Sequence, residues 1–360
     1  MKKLDLLIVG GGPAGLSAAI TAYEAKVKDI LLVDENFILG GQLRKQTHTF
    51  FGSKEHFAGT RGINIAKILT DKLLESDVEV MLNSSVVGIF LENGKKIVAI
   101  VDESKNKYMR VIAENIIVAT GASENMLAFE NNDLPGVMGA GAVQTLMNLY
   151  GVKPGNNALM VGSGNVGLIV SYQLIQAGVN VKAVVEALPK ISGYEVHANK
   201  LRRLSIPILT GHTILKAIGN EHVEGALISQ IDENFNSIDG TEKKIDVDLI
   251  CLAVGLTPMT ELLSQAGCKM KFVPELGGFV PLHTKYLETT IPGIFVAGDA
   301  SGIEEASVAM VEGKIVASYI AEKMGFKPKV NKEELFKELE KLRSSEFSLK
   351  VKKGKEKIMI

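Results

Sequence analysis

Two glycine triplets of identical spacing hold the residues best suited to chemistry, Gly10-x-Gly12-x-x-Gly15 and Gly162-x-Gly164-x-x-Gly167. In such a turn the first glycine permits a tight bend and the second lets main chain approach a pyrophosphate. The third lets the following helix pack closely on its strand. The helix N-terminus, with unpaired N–H groups and a partial positive charge, then faces the phosphates. Nineteen positions after each last glycine stands an acid at the end of a second apolar run: Asp34 after Ile30 to Val33, and Glu186 after Val179 to Val185. An acid at that distance accepts hydrogen bonds from a ribose. Pro13, Ala14 and Glu35 complete the first set of candidate binding residues, and Asn165 and Val166 the second. Two dinucleotide sites in one chain point to two different dinucleotides exchanging electrons.

These residues need strands before them and helices after them, and the chain supplies both twice. Residues 4–9 and 158–161 are apolar runs of the kind found in buried parallel strands. Residues 16–20 and 168–176 continue as helices. Three β-rich runs (78–91, 96–101, 107–112) then precede 116–121, which ends Ala119-Thr120-Gly121. Three more (206–218, 223–231, 244–247) precede 249–255, which ends in Gly255. Glu92-Asn93-Gly94 and Asp239-Gly240 mark the turns between strands. A last apolar strand, 291–299, ends in Gly298-Asp299 and leads into a small-residue helix over 306–320. The expected fold class is α/β, with two Rossmann-like dinucleotide-binding domains.

Composition agrees with an ordinary globular protein. At about 150 residues per domain, 360 residues make two or three domains. With 46% hydrophobic and 22% charged residues, the chain is not disordered, collagen-like or a coiled coil. Lys+Arg 40 against Asp+Glu 41 gives no basic field to recommend a nucleic-acid partner. Two cysteines cannot build a disulfide framework, so a cytoplasmic location is expected. The apolar run Leu6 to Val9 is too short for a secretory signal, and no stretch reaches the length of a membrane span.

From Lys3 to about Met324 the sequence resembles the two-dinucleotide flavoprotein reductases of the thioredoxin-reductase and pyridine nucleotide-disulfide reductase type. The resemblance implies FAD as one cofactor and NAD as the other. It implies that Gly10, Gly12, Gly15, Asp34, Gln42, Gly121 and Asp299 contact FAD, with Gly41, Thr120 and Gly298 beside them. Gly162, Gly164, Gly167, Glu186 and Gly255 would contact the nicotinamide nucleotide. The NAD domain is expected as an insertion: FAD-binding parts over 1–122 and 251–326, the NAD domain over 123–250, and a basic helix and tail over 327–360. Glu186 with no Arg in 186–193, although Lys190 is near, favours NAD(H) over NADP(H), because a carboxylate repels a 2′-phosphate.

Residues 118–145 and Gly193-Tyr194-Glu195-Val196 resemble more closely the FAD/NAD(P)-binding subunits of dye-linked proline, opine and sarcosine-type dehydrogenases. The oxidoreductase that accompanies some glycerol-3-phosphate dehydrogenases belongs to the same group. That likeness implies a partner dehydrogenase subunit or electron acceptor and leaves the oligomeric state open. A free-standing NADH-dependent reductase of oxygen, ferredoxin or a quinone, and a non-catalytic nucleotide-binding scaffold, are the rival readings. Cys251 and Cys268 are sixteen residues apart rather than a Cys-x-x-Cys pair, so no dithiol relay and no iron–sulfur cluster or other metal is expected. His48 is the one candidate for proton or substrate work beside the flavin, and a polar loop residue is its plainer reading. Tyr194-Glu195-x-His197 reads as a surface pair. Positions 321–360 carry 12 Lys+Arg against 7 Glu; 331–343 is expected as a short helix and 350–357 as a mobile basic tail, with docking to an acidic partner as the sharper alternative.

Overall fold

The computed structural model describes the main chain of residues 1–360 and every side chain except those at positions 346 and 347. The chain forms two compact units, one of residues 1–123 and 257–360, the other of residues 124–256.

The first unit begins β1 (Lys2–Val9), α1 (Pro13–Glu24), β2 (Ile30–Val33), α2 (Gly62–Leu74), β3 (Glu79–Met81), β4 (Ser84–Glu92), β5 (Lys95–Asp102) and β6 (Lys107–Val118). β7 (Ala122–Glu124) leads out of it. The inserted unit runs β8 (Val137–Gly139), α3 (Ala140–Tyr150), β9 (Asn157–Val161), α4 (Asn165–Gln176), β10 (Asn180–Glu186) and α5 (Glu195–Arg203). It continues β11 (Ile208–Thr210), β12 (His212–Ile218), β13 (Gly225–Gln230), β14 (Lys243–Ile245) and β15 (Leu249–Leu252). β16 (Leu256–Pro258) leads back to α6 (Glu261–Gln265), β17 (Met270–Val273), β18 (Gly278–Pro281), β19 (Ile294–Val296), α7 (Ala306–Lys323), α8 (Lys332–Leu342) and α9 (Glu346–Glu356).

Each unit is built on a parallel sheet, ordered β3-β2-β1-β6-β19 in the first and β11-β10-β9-β15-β8 in the second. Leu6, Leu7 and Ile8 of β1 are fully buried, as expected of a strand covered on both faces. The domain boundary expected at 250/251 falls instead at 256/257, because β15 pairs along its whole length with β9 and β8.

The runs 107–112 and 116–118 form a single strand, β6. One edge follows β1, while the other pairs first with β5 and then with β19. Conversely, the run 206–218 breaks at Gly211 (φ 65°), so that β11 joins the parallel sheet and β12 starts an antiparallel one. Asn83 (φ 47°) divides β3 from β4 in the same way. Asn tolerates that left-handed conformation better than most residues.

α1 is small-residue and buried on most sides, with Ala14, Gly15, Ala18, Ala19 and Ala22 out of solvent. α7 packs on it so closely that a Cβ on Gly313 would lie 2.2 Å from the Ala14 carbonyl oxygen. This contact sets the turn before α7 against the start of α1.

α8 forms as expected, with the Asn331 side chain accepting from the Glu333 N–H at 2.9 Å as its N-cap. The stretch 350–357 is not a mobile tail: it lies in α9 and ends in a docked C-terminus. Gly354 sits on Leu276, and Ile358 is fully buried with Val273, Leu276 and Val280. Val351, Gly354 and Ile358 are spaced as one helical face, a signal that the intervening lysines mask. Among the described residues no helix is long and apolar enough to cross a membrane.

Candidate functional site

In the first unit, β1 runs into Gly10, whose φ of 104° and whose approach to Ala119 (a Cβ would stand 2.3 Å from its carbonyl oxygen) exclude a side chain. Gly12 is the N-cap of α1 and Pro13 its first residue; no side chain caps that helix end. A Cβ on Gly12 would meet nothing within 4 Å, whereas one on Gly15 would collide with the Gly10 carbonyl at 1.9 Å. The turn is therefore closed below, where the helix packs, and open above, where an anion could meet main-chain N–H groups.

Asp34, at the end of β2, is buried. Its Oδ2 accepts from the Gly11 N–H at 2.6 Å, and its Oδ1 from Asn36 N at 2.8 Å and Nδ2 at 3.0 Å. Glu35 is exposed. The segment 39–43 then crosses the turn: Gly40 N–H donates to the Gly11 carbonyl at 2.9 Å, and a Cβ on Gly41 would stand 2.8 Å from Gly12 Cα. Leu39 and Leu43 anchor this strap in the core and leave Gln42 exposed.

Two further pieces of this unit complete the cradle. Thr120 Oγ1 donates to the Met259 carbonyl at 2.6 Å, and the Gly121 carbonyl accepts from Met259 N–H at 3.0 Å. Gly298 (φ 70°), beyond β19, comes so close to α1 that its Cβ would be 3.0 Å from that of Ala14. Its neighbour Asp299 is half-buried, and its Oδ1 accepts from Glu304 N–H at 3.2 Å. Burial pushes the Asp299 carboxyl up to about 6, with Glu312 and Glu304 adding to the rise and Lys355 opposing it. Gly10, Gly12, Pro13, Ala14, Gly15, Asp34, Gly41, Gly298 and Asp299 are thus gathered around one helix end. His48 lies in the loop that follows the strap, its ring stacked on Phe50 at 5.9 Å.

The inserted unit repeats the plan. Gly162 (φ 106°) approaches Ala253, Gly164 is the N-cap of an uncapped α4, and Gly167 abuts the Gly162 carbonyl. Val166 is exposed on the first turn of α4. Gly255 (φ 118°) accepts from Asn125 N–H at 3.0 Å. Glu186 is buried, and its Oε2 accepts from Ser163 N at 3.0 Å, from the Ser163 hydroxyl, and from the Ser192 hydroxyl at 3.0 Å. Its Oε1 takes the Leu188 N–H at 3.0 Å. A carboxylate offers about four acceptor sites, so one oxygen is filled and the other half used.

A second strap, Ser192-Gly193-Tyr194, crosses this turn. Ser192 N–H donates to Ser163 Oγ at 3.1 Å and Tyr194 N–H to Asn165 Oδ1 at 2.8 Å. A Cβ on Gly193 would stand 2.8 Å from Asn165 N. Ser163, Ser192 and Gly193 are absent from the candidates drawn from sequence, yet a signal for Gly193 exists. Gly41 follows Gly12 by 29 positions and Asp34 by 7; Gly193 follows Gly164 by 29 and Glu186 by 7. The internal repeat extends to the straps.

The remaining titratable candidates are engaged elsewhere. His197 is buried rather than part of a surface pair, with its pKa lowered by burial and then by Lys200, while Glu195 pairs with Arg202. The helix α5 turns position 197 toward the core, which a short polar cluster in sequence does not reveal. Cys251 in β15 is fully buried and Cys268 nearly so; burial pushes both thiols up, away from the reactive thiolate.

The family model described as pyridine nucleotide-disulphide oxidoreductase matches residues 4–313. The chain is 28% identical over 334 residues to the sarcosine oxidase alpha subunit of Rhizobium meliloti, covering 89% of this chain and 31% of that one. It is 26% identical over 336 residues to an opine oxidase subunit of Agrobacterium tumefaciens, covering 87% and 64%. The chain therefore spans about one third of the first relative and under two thirds of the second. Among solved structures, L-proline dehydrogenase from P. horikoshii superposes with a TM-score of 0.70 at 26% identity, over 94% of this chain and 59% of that one.

Proposed function

Because this chain belongs to the pyridine nucleotide-disulphide oxidoreductase family, whose proteins bind FAD and a pyridine nucleotide, we propose that it passes a hydride between NAD(H) and FAD as one subunit of a larger dehydrogenase. The observation that carries this reading is the duplicated cradle: two uncapped helix ends, each behind a glycine turn open on its outer side, and each beside a buried acid. The first cradle suits FAD, because the Gly298-Asp299 turn returns to it and brings a second acid with no counterpart among the described residues of the other cradle.

When bound, the two dinucleotides supply the hydride chemistry themselves, which needs no side-chain acid. The chain's part is to seat the phosphates on the α1 and α4 N-termini and to hold the riboses beside Asp34 and Glu186. Glu186 supports NAD(H): its carboxylate is locked beside the turn by Ser163 and Ser192, and position 187 to position 194 holds no Arg to welcome a 2′-phosphate.

The names of the relatives support a partner, since both are oxidase subunits and both are longer than this chain. Sarcosine and L-proline, the substrates in two of the names, are both secondary amino acids. The partner is accordingly read as acting on an amino acid or amine. Neither buried cysteine offers a dithiol route, and the proposed route for the electrons is such a partner.

Anaerobic mixing of the purified protein with NADH or NADPH, followed in the visible flavin band, tests the reading. NADH should bleach the flavin at least about tenfold faster than NADPH. Equal rates would sink the NAD assignment, and a protein that stays colourless after incubation with FAD would sink the flavin assignment.

A further inference from the structure

The C-terminal helices α8 and α9, beyond the residues 4–313 that the family model matches, bring two cations into the interior. Arg343, at the end of α8, is 9% exposed, and Lys355, in α9, is 6% exposed. Lys355 reaches the turn Gly298–Ser301 directly, and Arg343 reaches Glu304 just beyond it. Glu312 of α7, 1% exposed, stands between. Its Oε2 accepts from Gly298 N–H at 2.8 Å and lies 2.9 Å from the Ser301 hydroxyl. Its Oε1 accepts from Arg343 Nη2 at 2.7 Å and Lys355 Nζ at 3.2 Å. Lys355 also donates to the Ser301 carbonyl at 3.0 Å and hydroxyl at 2.6 Å. Arg343 forks onto Glu304, with Nε 2.8 Å from Oε1 and Nη2 on the other oxygen, and Glu304 N–H is the donor to Asp299.

Docking two helices does not require this. A buried ion pair is often no more stabilising than apolar residues of the same volume, and α9 already has the apolar seat of Gly354 and Ile358. What the charges add is direction. They hold the Gly298 N–H through Glu312, the Ser301 carbonyl through Lys355 and the Glu304 carboxylate through Arg343, on both sides of Asp299.

We propose that Arg343 and Lys355 are positioning residues for the flavin: the C-terminal helices clamp the Gly298-Asp299 turn in the form that accepts FAD. The clamp rests on the reading of the first cradle as the FAD site.

The test is equilibrium titration of FAD into flavin-stripped protein, with the visible spectrum of the bound flavin and pyridine-nucleotide binding recorded alongside. Lys355→Met should weaken FAD binding about tenfold or more and shift the visible band, with pyridine-nucleotide binding unchanged. Lys355→Arg, which keeps the charge, should recover to within about threefold of the parent. Lys352→Met, whose partner Glu340 is at the surface, should match the parent. Because Lys355→Met leaves Glu312 short of a cation, the charge-balanced Glu312→Gln/Lys355→Met protein is titrated too, and its FAD affinity should also fall. Parent-like FAD affinity in both Lys355→Met proteins overturns the clamp, as does Lys355→Arg failing as badly as Lys355→Met. Loss of pyridine-nucleotide binding in step with FAD also overturns it, since the defect is then general. A parent that binds no flavin overturns the cofactor reading and the clamp with it; the other outcomes strike the clamp alone.

Discussion

In the first unit the strap over the glycine turn is held by main chain, Gly40 N–H to Gly11 carbonyl, and by two leucines sunk in the core. In the inserted unit the corresponding strap is held by side chains: Ser163 and Asn165 accept its amides, and the Ser192 hydroxyl donates to Glu186. The acids differ accordingly. Asp34 meets its turn through one amide, while the longer Glu186 reaches both turn and strap. A ligand's own hydroxyls and phosphates can replace hydroxyl and carboxamide partners, but they cannot replace buried leucines. On the proposed reading, the core-anchored strap suits a resident flavin and the side-chain-held strap a diffusing NAD(H).

The sharpest break in this comparison is steric. Gly12 and Gly164 have ordinary φ values (−77° and −65°); a Cβ on Gly12 would meet nothing within 4 Å, and one on Gly164 only the Ser192 hydroxyl at 3.9 Å. Gly12→Val should therefore leave the fold intact and cost about 100-fold in FAD affinity, read as flavin content, with pyridine-nucleotide binding preserved. Gly164→Val should do the reverse and stay yellow. If Gly12→Val loses the pyridine nucleotide and keeps its flavin, the assignment of the two cradles is inverted.

Next in size is Glu186→Ala, which should reduce the preference for NADH over NADPH about tenfold in flavin-reduction rates. An unchanged preference would remove Glu186 from specificity.

A pH effect should separate the cradles further, since the returning acid belongs to the first alone. Asp299, raised to about 6, binds a proton in the folded state that the unfolded chain lacks between about pH 4 and 6. Its contribution to stability is present at low pH and is lost as pH rises through 6. His283, lowered to about 4 by burial and then by Lys355, acts in the opposite sense: its contribution is lost as pH falls from 6.5 toward 4. Asp299→Asn removes the first effect and leaves the second. Urea unfolding of the flavin-free protein at pH 7 and pH 5 should show the variant losing about 1 kcal/mol more than the parent on acidification. Parallel losses would show that Asp299 does not titrate in this range.

The smallest expected effect is at the second strap. Ser192→Ala removes one of the three donors crowded onto Glu186 Oε2 and should tighten ADP-ribose binding about threefold in a titration, without altering flavin content. Weaker binding would mean that the Ser192 hydroxyl holds the strap in its receptive form.

Much of this architecture is written locally. The triplets Gly10/Gly12/Gly15 and Gly162/Gly164/Gly167 sit between an apolar run and a helix former, and the packing of Gly15 on Gly10 and of Gly167 on Gly162 is met within a few residues. The same holds for the acids at 34 and 186, each at a strand end. The straps are less legible, because Gly41 and Gly193 matter through main chain far away in sequence. Only the repeated spacing of 29 hints at Gly193.

The C-terminus misleads for a different reason. Twelve basic residues in forty look like a solvated tail when they are counted. Lys355 and Arg343 are nevertheless buried, since Glu304 and Glu312 wait for them in the fold. The boundary at 256/257 likewise turns on remote pairing, of β15 with β9 and β8.

The amino-acid order by itself therefore settled the α/β class, the two glycine turns and their acids, because each depends on covalent spacing and local backbone freedom. Which strand edges meet, which charges find a buried counter-charge, and what crosses each turn depend on contacts between residues tens to hundreds of positions apart. Those were decided only when the chain closed on itself.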